Sequence, residues 1–197
     1  MNWLAHLFLS EYNVEHRLGN FLADLAKGSA RQELNPRIQQ GIAYHQAIDT
    51  FTDQHSVVHR SKQRISDRYR RFSNILVDVF YDHFLAKNWL LYSPVPLKEF
   101  TAEIYQSFQT YPGQIPAPVR EIIARMAMED WLSTYRTVSG IETTLQRISY
   151  RLSRRMNRSL MLHPAISDLT THYSELESDF LEFFPELLEH LHQGSHD

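Results

Sequence analysis

Apolar residues recur at spacings of three and four along most of the chain, with no sustained apolar–polar alternation to mark a strand. The spacing predicts helices over about 2–10, 14–27, 36–53, 57–67, 69–91, 97–110, 117–137, 140–157 and 165–192. Asn35-Pro36 has the signature of an N-cap followed by a proline at the first helical position. Ser93-Pro-Val-Pro96 and the stretch from Tyr111 to Pro118 interrupt the pattern. Neither is long enough to separate domains, and no internal repeat or low-complexity tract occurs. The expectation is an all-α fold, a single-domain multi-helix bundle over residues 1–197.

The informative positions are those where ionisable residues break the apolar runs. His6 sits inside Trp3-Leu-Ala-His-Leu-Phe-Leu9, and Asp24 inside Phe21-Leu-Ala-Asp-Leu-Ala26. Asp78, Asp82 and His83 lie in Ile75-Leu-Val-Asp-Val-Phe-Tyr-Asp-His-Phe-Leu85. A lone carboxylate in an apolar interior is costly unless it is paired or bound to a cation. His45 and Asp49 stand at i and i+4, so they share a helix face, and Asp53 continues that stripe. Asp78 and Asp82 repeat the relation. Such helices can present imidazole and carboxylate inward around a divalent metal. Each residue also has a plainer reading: His6 as a hydrogen-bonded core residue, Asp24 as a cap or an arginine partner, His45-Asp49-Asp53 as a solvated face. His16, His55 and His59 have polar neighbours and are expected at the surface, and His163-Pro164 reads as a helix boundary. His190, His192 and His196 belong to an acidic tail.

Composition sharpens this. The 197 residues include 11 His and no Cys, which excludes disulfide scaffolds, thiolate metal sites and thiol catalysis. A side-chain metal site must then be built from imidazole and carboxylate. No His-Glu-x-x-His, phosphate-binding glycine loop, dinucleotide fingerprint or Gly-x-Ser-x-Gly elbow occurs. The net charge of −3 argues against a general nucleic-acid binder. No apolar run is long enough to span a bilayer and no basic leader precedes the first helix, so a soluble cytoplasmic protein is expected, its oligomeric state open.

Charge is unevenly spread. Six Lys or Arg occur from Arg60 to Arg71, and five Arg with no acid from Arg147 to Arg158; beyond Arg158 there are eight Asp or Glu and no Lys or Arg. Projected at 100° per residue, Arg147, Arg151, Arg154, Arg155 and Arg158 form a row beside the apolar stripe Ile141, Leu145, Ile148, Leu152 and Met156. The row suits a phosphate or an acidic protein partner; alternatively, the chain's own acidic C-terminal helix answers it.

Several ordered motifs together resemble the acyl carrier protein phosphodiesterases. They are Met1-Asn-Trp-Leu-Ala-His6-Leu, Gly19-Asn-Phe-Leu-Ala-Asp24, Gly41-Ile-x-x-His45-x-x-Ile-Asp49-x-x-Thr-Asp53 and Asp78-x-x-x-Asp82-His83-Phe-Leu, with weaker likeness around Tyr173 and Phe183-Phe-Pro185. The resemblance implies an all-α, HD-domain-like, metal-dependent hydrolase that uses manganese. It also implies cleavage of the phosphodiester between 4′-phosphopantetheine and a serine of acyl carrier protein. An HD-type phosphohydrolase of a nucleotide or other small phosphoester, and a non-enzymatic helical adaptor, are the alternatives. The chain departs from the ordinary HD order: its one adjacent His-Asp is His196-Asp197, and the internal dyad Asp82-His83 is reversed. On this reading Asp24, His45, Asp82 and His83 supply most of the metal ligands, with His6 as a further one. Asp49 and Asp78 orient ligating histidines or carry protons. The arginine row attracts the acidic carrier.

Overall fold

The computed structural model describes residues 1–25 and 34–194, which hold eleven α-helices and no strand. They are α1 (Trp3–Leu9), α2 (Val14–Leu22), α3 (Pro36–Gln54), α4 (Ser56–Gln63), α5 (Ser73–Lys87), α6 (Leu97–Gln109), α7 (Ala117–Met128), α8 (Trp131–Thr134), α9 (Val138–Met156), α10 (Ile166–Thr171) and α11 (Tyr173–Gly194). No helix among the described residues is long and apolar enough to cross a membrane.

Position in the fold follows from how far round each helix is apolar. Residues 79–86 of α5 are all buried, and a helix with that distribution belongs at the centre. α1, α4, α9 and α11 pack around it. α11 buries Leu176, Phe180, Phe183, Phe184 and Leu187, a stripe at helical spacing with no exposed surface, and sets Phe180 and Phe183 against Tyr81 of α5. α1 is too short to be stable alone, and burial of residues 3–7 holds it.

One crossing positions the site. α2 and α3 touch backbone to backbone: a Cβ on Gly19 would lie 2.0 Å from the Ile38 carbonyl oxygen, and one on Gly41 2.1 Å from that of His16. Only glycine permits this approach, and it sets Asn20 beside His45.

The helical boundaries depart from expectation where tertiary contacts intervene. Asn35 caps α3 through the Arg37 amide with Pro36 at the start, as the pair predicts. The helix predicted over 14–27 ends at Leu22 and turns, residues 26 and 27 lying outside the described residues. The stretch predicted over 69–91 is α5 flanked by 3-10 turns at Asp67–Phe72 and Trp89–Leu91. That over 117–137 divides at Asp130, which adopts left-handed φ 48° and ψ 51°. There the Tyr105 hydroxyl donates to Asp130 Oδ1 at 3.0 Å and accepts from the Leu132 amide at 2.8 Å. The last stretch divides at His172 into α10 and α11. His16 is buried rather than at the surface, its ring against Tyr44 at the glycine crossing. His196 and Asp197 lie outside the described residues.

Candidate functional site

His45 faces inward from α3 with 6% of its surface exposed. Its Nδ1 lies 3.0 Å from Asn20 Oδ1. The Asn20 amide nitrogen donates to the His6 carbonyl at 2.9 Å and to Ser10 Oγ at 2.8 Å, so the amide orientation leaves only its oxygen for His45. Nδ1 therefore carries the hydrogen and donates. Nε2 lies 3.1 Å from Asp49 Oδ2 and 3.8 Å from Asp24 Oδ1. An imidazole nitrogen facing carboxylate oxygens calls for a positive charge between them, whether a proton or a cation.

His6 reaches the same point from α1. Its ring stacks on His45 at 3.8 Å between centroids and 13° between planes. Its Nε2 lies 3.2 Å from Asp49 Oδ1 and 3.1 Å from the Met1 carbonyl oxygen, while Nδ1 is buried without a hydrogen-bond partner. Burial is the main cause that pushes the His6 pKa down to about 4, so the ring is neutral at pH 7. Burial works to raise the Asp49 carboxyl, but the imidazoles of His45 and His6 and the Met1 ammonium beside it outweigh that and hold the group well below the usual carboxylate range. Each of His6, His45 and Asp49 offers one ligand atom, all within 4.8 Å of one another. Two imidazoles and a carboxylate, one imidazole oriented by an amide behind it, form a donor set suited to a divalent transition metal.

The cluster opens into a cleft of about 380 Å³ lined by Asp24, Asp49, Asp78, Arg151 and Arg155 among others. Asp24 Oδ2 accepts from the Trp3 indole at 2.9 Å, which turns Oδ1 toward His45. The Met1 amino nitrogen donates to Asp78 Oδ1 at 2.8 Å and lies 3.5 Å from Asp49 Oδ1. Burial would lower its pKa, but the charges of Asp78 and Asp49 raise it to about 10.

Asp82 and His83 stand apart from this cluster. Asp82 lies under the N-terminus of α1, its Oδ2 accepting from the Leu4 amide at 2.7 Å and its Oδ1 from those of Ala5 at 3.2 Å and Asn2 at 3.3 Å. It fills the role of a cap brought from another helix. Burial raises its pKa to about 7 against the lowering effect of those amides. His83 donates from Nδ1 to the Tyr135 carbonyl and accepts at Nε2 from the Tyr173 hydroxyl, both at 2.8 Å. Its two nitrogens tie α5 to the α8–α9 turn and to α11. Asp53 points away and pairs with Lys62 at 2.9 Å.

The arginine row runs past the cluster on α9. Arg151 and Arg155 line its cleft, and Arg151 lies 5.4 Å above the Trp3 ring. Arg147 pairs with Glu129 at 2.9 Å and sits 4.3 Å over Trp131. Arg154 lies over Tyr150, and Arg158 is exposed. Four acids of α11 face partners away from this row: Asp179 and Glu182 meet Arg60, Asp179 also Arg64, Glu177 Lys87, and Glu186 His55. The Arg60–Arg71 segment is thus the one α11 answers. Sequence reasoning missed Asn20, Trp3 and the Met1 amino group; Asn20 and Trp3 do lie within the quoted motifs, but nothing in their residue type marks them as partners of His45 and Asp24.

Comparison with known proteins points to one family. The family model for acyl carrier protein phosphodiesterase matches residues 1–187. Proteins named acyl carrier protein phosphodiesterase from Escherichia coli O45:K1 (strain S88) and Pectobacterium atrosepticum are 32% and 30% identical over 190 residues, covering 96% of both chains in each case. One from Klebsiella pneumoniae (strain MGH 78578) is 33% identical over 191 residues, covering 95% of this chain and 96% of its own. No solved structure matches. With the match running from the His6 segment into α11, the chain belongs to the acyl carrier protein phosphodiesterase family.

Proposed function

We propose that this chain hydrolyses the phosphodiester joining 4′-phosphopantetheine to a serine of acyl carrier protein, with manganese held by His6, His45 and Asp49 and flanked by Asp24. Family membership supports the substrate. The observation that carries the site is the stacked pair of imidazoles whose Nε2 atoms meet one carboxylate, Asp49, at 3.2 Å and 3.1 Å. Hydrolysis adds water across the bond: hydroxide goes to phosphorus and a proton to the departing serine oxygen. A divalent metal lowers the pKa of bound water and neutralises charge on the phosphodiester.

The chain's own groups do the rest. Asn20 fixes the His45 tautomer and ring angle, and Trp3 holds the Asp24 carboxylate toward the cluster. Asp78 steadies the Met1 amino group against Asp49. Arg151 and Arg155 place positive charge at the mouth, where the phosphate and the acidic carrier approach. Asp82 and His83 support the site from behind, by anchoring α1 and α5.

Incubating the protein with holo carrier and manganese should remove the prosthetic group from the carrier, read as a mass loss; an unchanged carrier overturns the reading. Equally fast turnover of small phosphodiesters would move the assignment to small phosphoesters. In metal analysis, His45→Ala and Asp49→Ala should lose bound manganese, and Asn20→Ala should weaken it about 10–100-fold. Full occupancy in the first two variants overturns the ligand set.

A further inference from the structure

A second and larger cleft, of about 640 Å³, runs between α7 and α9 beside the metal-facing one. Its volume lies within the range of small-molecule sites. Trp3, Ile122, Trp131, Tyr135, Ile148 and Tyr150 form much of its wall. Trp3 and Trp131 are nearly parallel, 4° apart in plane with centroids separated by 6.3 Å. The guanidinium groups of Arg151 and Arg147 cover those two rings.

The two clefts are neighbours. Asn2, Ile148 and Arg151 line both. Trp3 also links them: its indole nitrogen holds Asp24 while its ring walls the larger cleft. A ligand with its phosphate at Asp49 and Arg151 can therefore lay its remaining length along the tryptophans.

We propose that this cleft receives the pantetheine arm, its phosphate end toward His6, His45 and Asp49; the inference rests on the functional reading above. The arm beyond its phosphate is uncharged and flexible, with geminal methyls, methylenes and two amides. Such a chain needs apolar walls, scattered polar groups and positive charge at one end. The aromatic walls take the methyl and methylene groups, Thr144 and Gln146 join the charged Glu121, Arg125, Arg154 and the paired Glu129 and Arg147 as polar lining for the amides, and Arg151 stands where the clefts meet. A bare docking surface for a protein would not require this concavity. The tryptophans thereby select for the arm, while the metal-facing residues act on the bond.

Two variants test this. Ile122→Trp fills the cleft, and Trp131→Ala removes a wall; circular dichroism establishes that each folds. Each should lower the ratio of kcat/KM for holo carrier to that for bis(p-nitrophenyl) phosphate by at least about tenfold. Free pantetheine, which lacks the phosphate, should inhibit carrier hydrolysis by the parent chain and quench its tryptophan fluorescence, and both effects should weaken in the variants. If the parent chain cleaves holo carrier but the ratio is unchanged in both variants, or pantetheine neither inhibits nor quenches, the cleft assignment falls alone. If the parent chain releases nothing from holo carrier, the functional reading falls and takes the assignment with it.

Discussion

At the scale of single residues, the chemistry turns on which proton each histidine carries. Asn20 decides this for His45, because its amide nitrogen is already spent on the His6 carbonyl and Ser10. For His6 burial decides it. The folded pKa of about 4 lies below the ordinary value of 6.5, so the unfolded chain binds more protons between those limits. The His6 contribution to stability is complete above pH 6.5 and is lost as the pH falls toward 4. A shift of that size corresponds to something on the order of 3 kcal/mol. Urea unfolding of the metal-free protein at pH 7 and pH 4 measures it: His6→Gln should lose less stability on acidification than the parent chain. Equal losses would show that His6 does not titrate as its burial requires.

At the scale of elements, the site depends on two devices that join helices distant in sequence. The facing glycines Gly19 and Gly41 let α2 and α3 close to backbone contact. The second device is Asp82, which reaches from α5 to cap α1 through three amides. Replacing it with Ala leaves those N–H groups buried without acceptors. The expected cost is about 2–3 kcal/mol, with Asp82→Asn losing less because it keeps one acceptor oxygen. Denaturant midpoints report the cost, and an Asp82→Ala chain as stable as its parent would remove the capping role. The helices themselves were legible from spacing because a three-to-four repeat reflects one buried face. The break at Asp130 was not, since the Tyr105 hydroxyl that stitches it comes from another helix.

At the scale of the whole molecule, charge is partitioned between two faces. Glu177, Asp179 and Glu182 of α11 are tied to Arg60, Arg64 and Lys87, while Arg151 and Arg155 of α9 line the metal-facing cleft. An acidic carrier approaching that face should be steered by Arg151 and Arg155, an effect on encounter that salt screens. The double variant Arg151→Glu, Arg155→Glu should slow carrier hydrolysis by about tenfold or more at low ionic strength, and by less in high salt. A loss independent of salt would assign these arginines to local contact alone.

The sequence by itself determined the all-α class, the absence of thiolate chemistry, and the presence of His and Asp where apolar helices have no ordinary use for them. Those properties belong to composition and local periodicity, which a linear reading sees. Tertiary structure decided which of them meet. The apolar run around Asp82 and His83 spoke equally for ligands or for buried anchors; the two residues face the α1 amides and two tyrosine groups. His45 and Asp49 share one helix face, yet only the fold adds His6 from α1, Asn20 from α2 and Asp24 from the turn after it. Periodicity specifies the face on which a side chain lies, whereas a site requires the distance and angle between faces, and these were set by the glycine crossing and the buried cap.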